Sequence, residues 1–96
     1  MARRHYLVTY DISDDKRRNQ VFRTLHGFGD HAQYSVFFCE MNREELARLR
    51  QRLRAAIHQG EDQVLIVELG TAARPVQAGL EVLGRHYEPP VRTIVV

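Results

Sequence analysis

The order in which hydrophobic periodicity switches constrains this chain more than any other feature. Within about the first 70 residues the pattern passes from strand to helix and back twice. His5–Ile12 is β-branched, aromatic and almost continuously apolar, which predicts a strand covered on at least one face. Ser13 then reads as an N-cap. Asp14 and Asp15 occupy the first turn, where acids favour the helix dipole. Val21, Phe22, Leu25 and Phe28 form one apolar stripe on the helix that follows, expected to run to about Phe28 and to be ended by Gly27 and Gly29.

Ala32–Met41 alternates again, and its pattern fits either one bent strand or two short strands joined at a bulge. Asn42 is placed to cap a second helix, with Leu46, Leu49, Leu53, Ala56 and Ile57 on its buried side and Gly60 as its stop. Gln63–Leu69 is a further apolar strand closed by Gly70. Leu80–Leu83 is a short strand candidate, Pro89 and Pro90 form a break, and Thr93–Val96 is a last apolar piece. Strand, helix, strand or strands, helix, strand describes an α+β domain of the ferredoxin-like kind, an antiparallel sheet with two helices on one face. The tail from about residue 79 to 96 holds more apolar segments than one small core needs. Exposed apolar strands are a liability unless paired, so a two-fold dimer in which each tail joins its partner's sheet is expected.

Ninety-six residues make one domain, 1–96, and 44% hydrophobic with 27% charged residues excludes disorder and low complexity. No apolar run approaches the roughly 18 residues of a membrane span. The first residues lack the apolar stretch of a signal peptide, so a cytoplasmic location is expected. A single cysteine, Cys39, excludes an internal disulfide and a multi-cysteine zinc site. Of the 14 basic residues 13 are arginine, the side chain whose planar fork matches phosphate and carboxylate oxygens in pairs.

Asp11 is the most informative position for chemistry: an acid at the end of an apolar strand, next to the turn into a helix. It admits two roles, a local Asx-type cap or a functional carboxylate held by a rigid scaffold. Magnesium takes one or two carboxylates and keeps several waters, and a two-fold axis near this strand end would supply the second Asp11. Arg17 and Arg18 sit in the helix start close by, either pairing with Asp14 and Asp15 or clamping phosphate. Tyr10 faces the opposite side of the sheet from Asp11 if the strand is regular. The five histidines show no ligand spacing, Ser35 and Cys39 lack a nucleophile signature, and no phosphate-binding glycine loop occurs. The arginines of the second helix spread around it and read as a solvated face rather than a nucleic-acid contact. The Tyr34–Phe38 stretch lacks the lead of an RNA-recognition motif.

The stretch Tyr10–Arg18, with Val21, Leu25, Gly29 and then Gln33–Phe37, resembles the signature of the CRISPR-associated protein two family, over about residues 6 to 40. The resemblance implies a ferredoxin-like homodimer in which Asp11 of both chains faces a shared cleft and binds magnesium or manganese. It implies metal-dependent endonuclease activity on single-stranded RNA or duplex DNA. Alternatively, the dimer would be a non-catalytic bridge between dimers of the CRISPR integrase, protein one, during spacer acquisition in antiviral defence. Tyr10, Asp11, Arg18, Ser35 and Phe37 match positions tied to activity, and Arg17, Arg18 and His31 would contact nucleic acid. His31 stands nearest the place where many members carry arginine, and a histidine is cationic only near or below pH about 6.5.

Overall fold

The computed structural model of the chain describes residues 2–87. Strand β1 (Arg4–Asp11) leads through a three-residue connection into helix α1 (Asp15–His26). Strands β2 (Gly29–Gln33) and β3 (Val36–Met41) form a hairpin, followed by helix α2 (Arg43–Ala56) and strand β4 (Gln63–Thr71). One 3₁₀ turn, Val76–Gly79, comes next. The sheet order is β2-β3-β1-β4 with every pair antiparallel, so β1 is central, as its apolar run requires. This is the ferredoxin-like architecture expected from the periodicities.

Side chains alternate across β1, and the two faces of the sheet have different fates. Tyr6, Val8 and Tyr10 point into the core with Phe37, Cys39 and Met41 of β3. Val21 and Leu25 of α1 and Leu46, Leu49 and Leu53 of α2 close over them. The other face carries Leu7 and Thr9 of β1, Val36 and Phe38 of β3, and Leu65 and Val67 of β4 in register. No helix covers it. Leu65 is 50% exposed and Val67 47%.

Local chemistry explains where the boundaries depart from expectation. The α1 cap is Asp14 rather than Ser13: its carboxylate accepts the Arg17 backbone N–H at 2.9 Å. The helix stops at His26 instead of running to Phe28, and Gly27 alone caps its end. Gly29 does not end the helix but opens β2, where a Cβ would lie 2.4 Å from the Phe38 carbonyl oxygen and 2.5 Å from the Cys39 sulfur. Only glycine permits that approach of β2 to β3. Residues 32–41 resolve as two strands around a turn at Tyr34 and Ser35, with a register shift between His31 and Gln33. Asn42 caps α2 as expected and forms a full capping box with Glu45. Strand β4 runs past Leu69 to Thr71 by means of a bulge opposite His5/Tyr6, beside which Gly70 adopts a positive φ of 113°. Leu80–Leu83 is not a strand: it follows the 3₁₀ turn without a ladder partner among the described residues, and Leu83 is 85% exposed. The Pro89–Pro90 break and the Thr93–Val96 segment lie outside the described residues.

Candidate active site

Asp11 is the last residue of β1, exposed on the face away from the helices, with Tyr10 buried on the core side as the alternation requires. Directly across β4 it is paired with Gln63. The β1–β3 ladder is extended at this end by the Tyr10 backbone N–H donating to the Ser35 carbonyl at 3.2 Å, which brings the β2–β3 turn alongside Asp11. The result is a cavity of about 320 Å³ walled by Thr9, Tyr10, Asp11, Arg18, Tyr34 and Ser35, with Gln63 and Leu65 at its β4 side. Four of the residues expected from sequence therefore meet in one place: Tyr10, Asp11, Arg18 and Ser35.

Arg18 is half-buried and reaches back from α1. Its Nη1 donates to the carbonyls of Ile12 and Ser13, both at 3.2 Å, and its Nη2 pairs with Asp15. It thus satisfies backbone acceptors of the connection that leaves Asp11, holding that strand end in place. Burial, reinforced by neighbouring Tyr34 and opposed by Arg18, pushes the Tyr10 hydroxyl above its ordinary range. Asp11 itself makes no ion pair or hydrogen bond with any other described side chain.

The remaining expected residues lie outside this cavity. Arg17 turns the other way, where Nε and Nη2 grip the Asp62 carboxylate at 2.7 and 3.3 Å. The Asp62 side chain is fully buried, and the Arg17 guanidinium with the His58 backbone N–H holds its carboxyl below the usual carboxylate range. The pair ties the start of α1 to the α2–β4 connection. Phe37 is fully buried in the core, against Phe22, His26 and His31, and is not part of the cavity wall. His31 packs against Phe37 with ring centroids 5.0 Å apart and against Phe22 at 5.1 Å, at the edge of an aromatic cluster that includes His26. Tyr34, 77% exposed at the turn, and Gln63 escaped sequence reasoning. Tyr34 lay inside the Gln33–Phe37 motif, but its exposure depends on the turn, and Gln63 reaches the site only through strand register.

The cavity offers hard oxygen donors, the Asp11 carboxylate and the Ser35 hydroxyl, which suit a small divalent cation such as magnesium or manganese. Within one subunit it holds a single carboxylate. Among the described residues no three His, Cys, Asp or Glu side chains gather where they could hold a metal. Among them, too, no helix is long and apolar enough to cross a membrane.

Fold and site together define a ferredoxin-like domain with an uncompensated acid at the end of its central strand. Residues 4–74 match the model of the family described as CRISPR associated protein Cas2. The chain belongs to that family. It is 34% identical over 91 residues, 95% of each chain, to the CRISPR-associated endoribonuclease Cas2 of Geobacter sulfurreducens. It is 36% identical over 96 residues to a CRISPR-associated endonuclease Cas2 of Thermus thermophilus, covering 100% of this chain and 99% of the other. The crystal structure of the hypothetical protein TT1823 from Thermus thermophilus superposes with a TM-score of 0.77 at 34% identity, over 92% of this chain and 99% of that one.

Proposed function

We propose that two copies of the chain associate through the face of the sheet that α1 and α2 leave uncovered and bring their Asp11 carboxylates together around a divalent metal, magnesium or manganese. The pair hydrolyses phosphodiester bonds in single-stranded RNA or duplex DNA. One observation carries this reading: an unpaired carboxylate stands in a cavity at the edge of an exposed apolar sheet face, so a partner on that face would complete the ligand set. The names of the relatives, endoribonuclease and endonuclease, support the same chemistry. When bound, the metal supplies Lewis-acid polarisation of a phosphoryl oxygen and a more acidic water.

The chain's own residues do the rest. Asp11 holds negative charge at the strand end, and Arg18 keeps that end in register through the Ile12 and Ser13 carbonyls. The Ser35 hydroxyl is available to orient a phosphate or a water. Tyr10 lines the cavity from its buried position, and Phe37 packs in the core of the same sheet. In the cell the dimer would act in the cytoplasm with the CRISPR integrase, protein one, in spacer acquisition for antiviral defence.

A second reading, a non-catalytic DNA-binding adaptor between integrase dimers, is favoured by a specific feature. The two arginines nearest Asp11 are already neutralised, Arg18 by Asp15 and Arg17 by Asp62. Less positive charge is thereby left for a scissile phosphate. Asp11→Asn separates the two. The catalytic reading expects metal-dependent cleavage of RNA or DNA to fall by about a hundredfold or more, and chelator to abolish it in the wild type. Cleavage that persists in Asp11→Asn overturns the catalytic role. The adaptor reading expects spacer acquisition to survive Asp11→Asn and to be lost when residues 91–96 are removed.

A further inference from the structure

Tyr34 stands where neither turn chemistry nor packing calls for it. It opens the two-residue connection Tyr34–Ser35 between the paired residues Gln33 of β2 and Val36 of β3. Hairpin turns of that length favour asparagine, aspartate or glycine, which adopt the left-handed backbone such turns use. Here neither turn residue has a positive φ, and the adjoining ladder is irregular between His31 and Gln33. A large aromatic side chain belongs in a sheet or a core, yet the Tyr34 ring is 77% exposed. The ring-to-ring contacts of the described residues gather on Phe22, His26, His31 and Phe37, and Tyr34 takes no part in them. A residue that breaks a local rule without a gain in stability marks a functional position.

The turn is fixed against the end of the central strand. The Tyr10 backbone N–H donates to the Ser35 carbonyl at 3.2 Å, and His31 Nε2 lies 3.4 Å from the Tyr34 carbonyl. The His31 ring is itself packed on Phe22 and Phe37, which ties the turn to the core. Tyr34 acts electrostatically on Tyr10, after burial, and on Arg18, after Asp15, so its hydroxyl end lies on the cavity side of the turn. Ring and Asp11 carboxylate share one cavity of about 320 Å³, at the small end of the range for ligand sites. A flat, exposed π surface beside a carboxylate suits a nucleobase, because every base has a π face and stacks on tyrosine whatever its identity. The sugar and phosphate attached to that base then extend along the cavity towards Asp11. A duplex offers no such face along its length, since each base lies between its stacked neighbours, whereas single strands splay bases out.

We infer that Tyr34 is a stacking platform for an unpaired base of single-stranded RNA and makes the Asp11 site selective for single strands over duplexes. The inference rests on the proposal that this cavity receives nucleic acid. It narrows the two substrates of that proposal to the one that exposes an unpaired base. Tyr34 meets the base and not the scissile phosphate, so it determines specificity and leaves the reaction at phosphorus to the Asp11 carboxylates. The ring face supplies the contact, and phenylalanine can therefore replace tyrosine. Stacking needs no metal, which separates it from cutting.

The test is equilibrium binding, in chelator so that nothing is cut, of a short single-stranded RNA carrying a fluorescent adenine analogue whose emission falls when it stacks on an aromatic ring. The analogue is placed at each position in turn. Wild type is expected to quench it. Tyr34→Ala is expected to lose the quench and to bind the RNA about tenfold more weakly, the effect of removing one stacked base. Tyr34→Phe should keep both quench and affinity. Duplex DNA of the same length should bind Tyr34→Ala and wild type alike. Wild-type quench and affinity in Tyr34→Ala overturn the platform, as does an RNA that wild type does not bind. An equal loss in Tyr34→Phe would assign the effect to the hydroxyl, and an equal loss for duplex DNA would remove the selectivity; each overturns the inference. Sedimentation velocity should be the same for Tyr34→Ala and wild type, and a smaller species in the variant would show that the ring serves subunit contact instead. Stacking that depends on Tyr34 in a protein that cuts no RNA with metal would sink the Asp11 chemistry alone. Cutting of single-stranded RNA at the wild-type rate by Tyr34→Ala, with binding unchanged, would sink the platform alone.

Discussion

The two faces of one sheet differ in completeness. Towards the helices, β1 and β3 bury Tyr6, Val8, Tyr10, Phe37, Cys39 and Met41 under leucines from both helices. Away from the helices, the same strands present Leu7, Thr9, Val36 and Phe38, and β4 adds half-exposed Leu65 and Val67. The described residues finish one face and leave the β4 side of the other apolar and open, with an unpaired acid at its rim. The first face holds the subunit together; the second is suited to a second copy, and the proposed chemistry lies where that copy would arrive.

Substitutions on opposite faces test this contrast most sharply. Phe37→Ala removes a fully buried ring from the core face and should lower the unfolding free energy by about 3–5 kcal/mol, read from urea titration. Val67→Arg on the open face should change subunit stability by no more than about 0.5 kcal/mol, because an exposed position loses little packing. It should nevertheless convert the proposed dimer to monomer in sedimentation velocity and take the proposed metal-dependent cleavage with it. A dimer unaffected by Val67→Arg would mean that association uses another surface.

A smaller effect is expected at Asp62, which braces the site from the far side of α1. Its carboxyl is held below the ordinary range by Arg17, so the bond contributes stability that is present above the unfolded value near 3.9 and is lost as pH falls through the lower folded value. Asp62→Asn should lower the melting temperature at neutral pH, and the gap from wild type should narrow as the pH is taken below about 4. A gap that stays constant with pH would show that the carboxylate's charge is not what Arg17 holds.

How far all this was legible in the sequence follows from the range of each interaction. The strands, both helices and the Asn42 cap were readable because periodicity and capping act within a few residues. The α1 cap was misplaced by one residue, since Ser13 and Asp14 are both good caps and only the backbone decides between them. Leu80–Leu83 has a strand's composition, but composition does not supply a ladder partner. At the site, Tyr10, Asp11 and Ser35 were legible through their motif and strand alternation. Arg17 and Arg18, alike and adjacent in sequence, point 100° apart on a helix. One therefore lines the Asp11 cavity while the other meets Asp62, 45 residues away. Gln63 enters only by cross-strand register, which no local pattern encodes.

The most direct test of the shared carboxylate site is a manganese titration followed by electron paramagnetic resonance on the intact protein. One tightly held ion for every two chains is expected, and none in Asp11→Asn. One ion per chain, or binding that Asp11→Asn leaves untouched, would contradict a metal held jointly by the two strand ends.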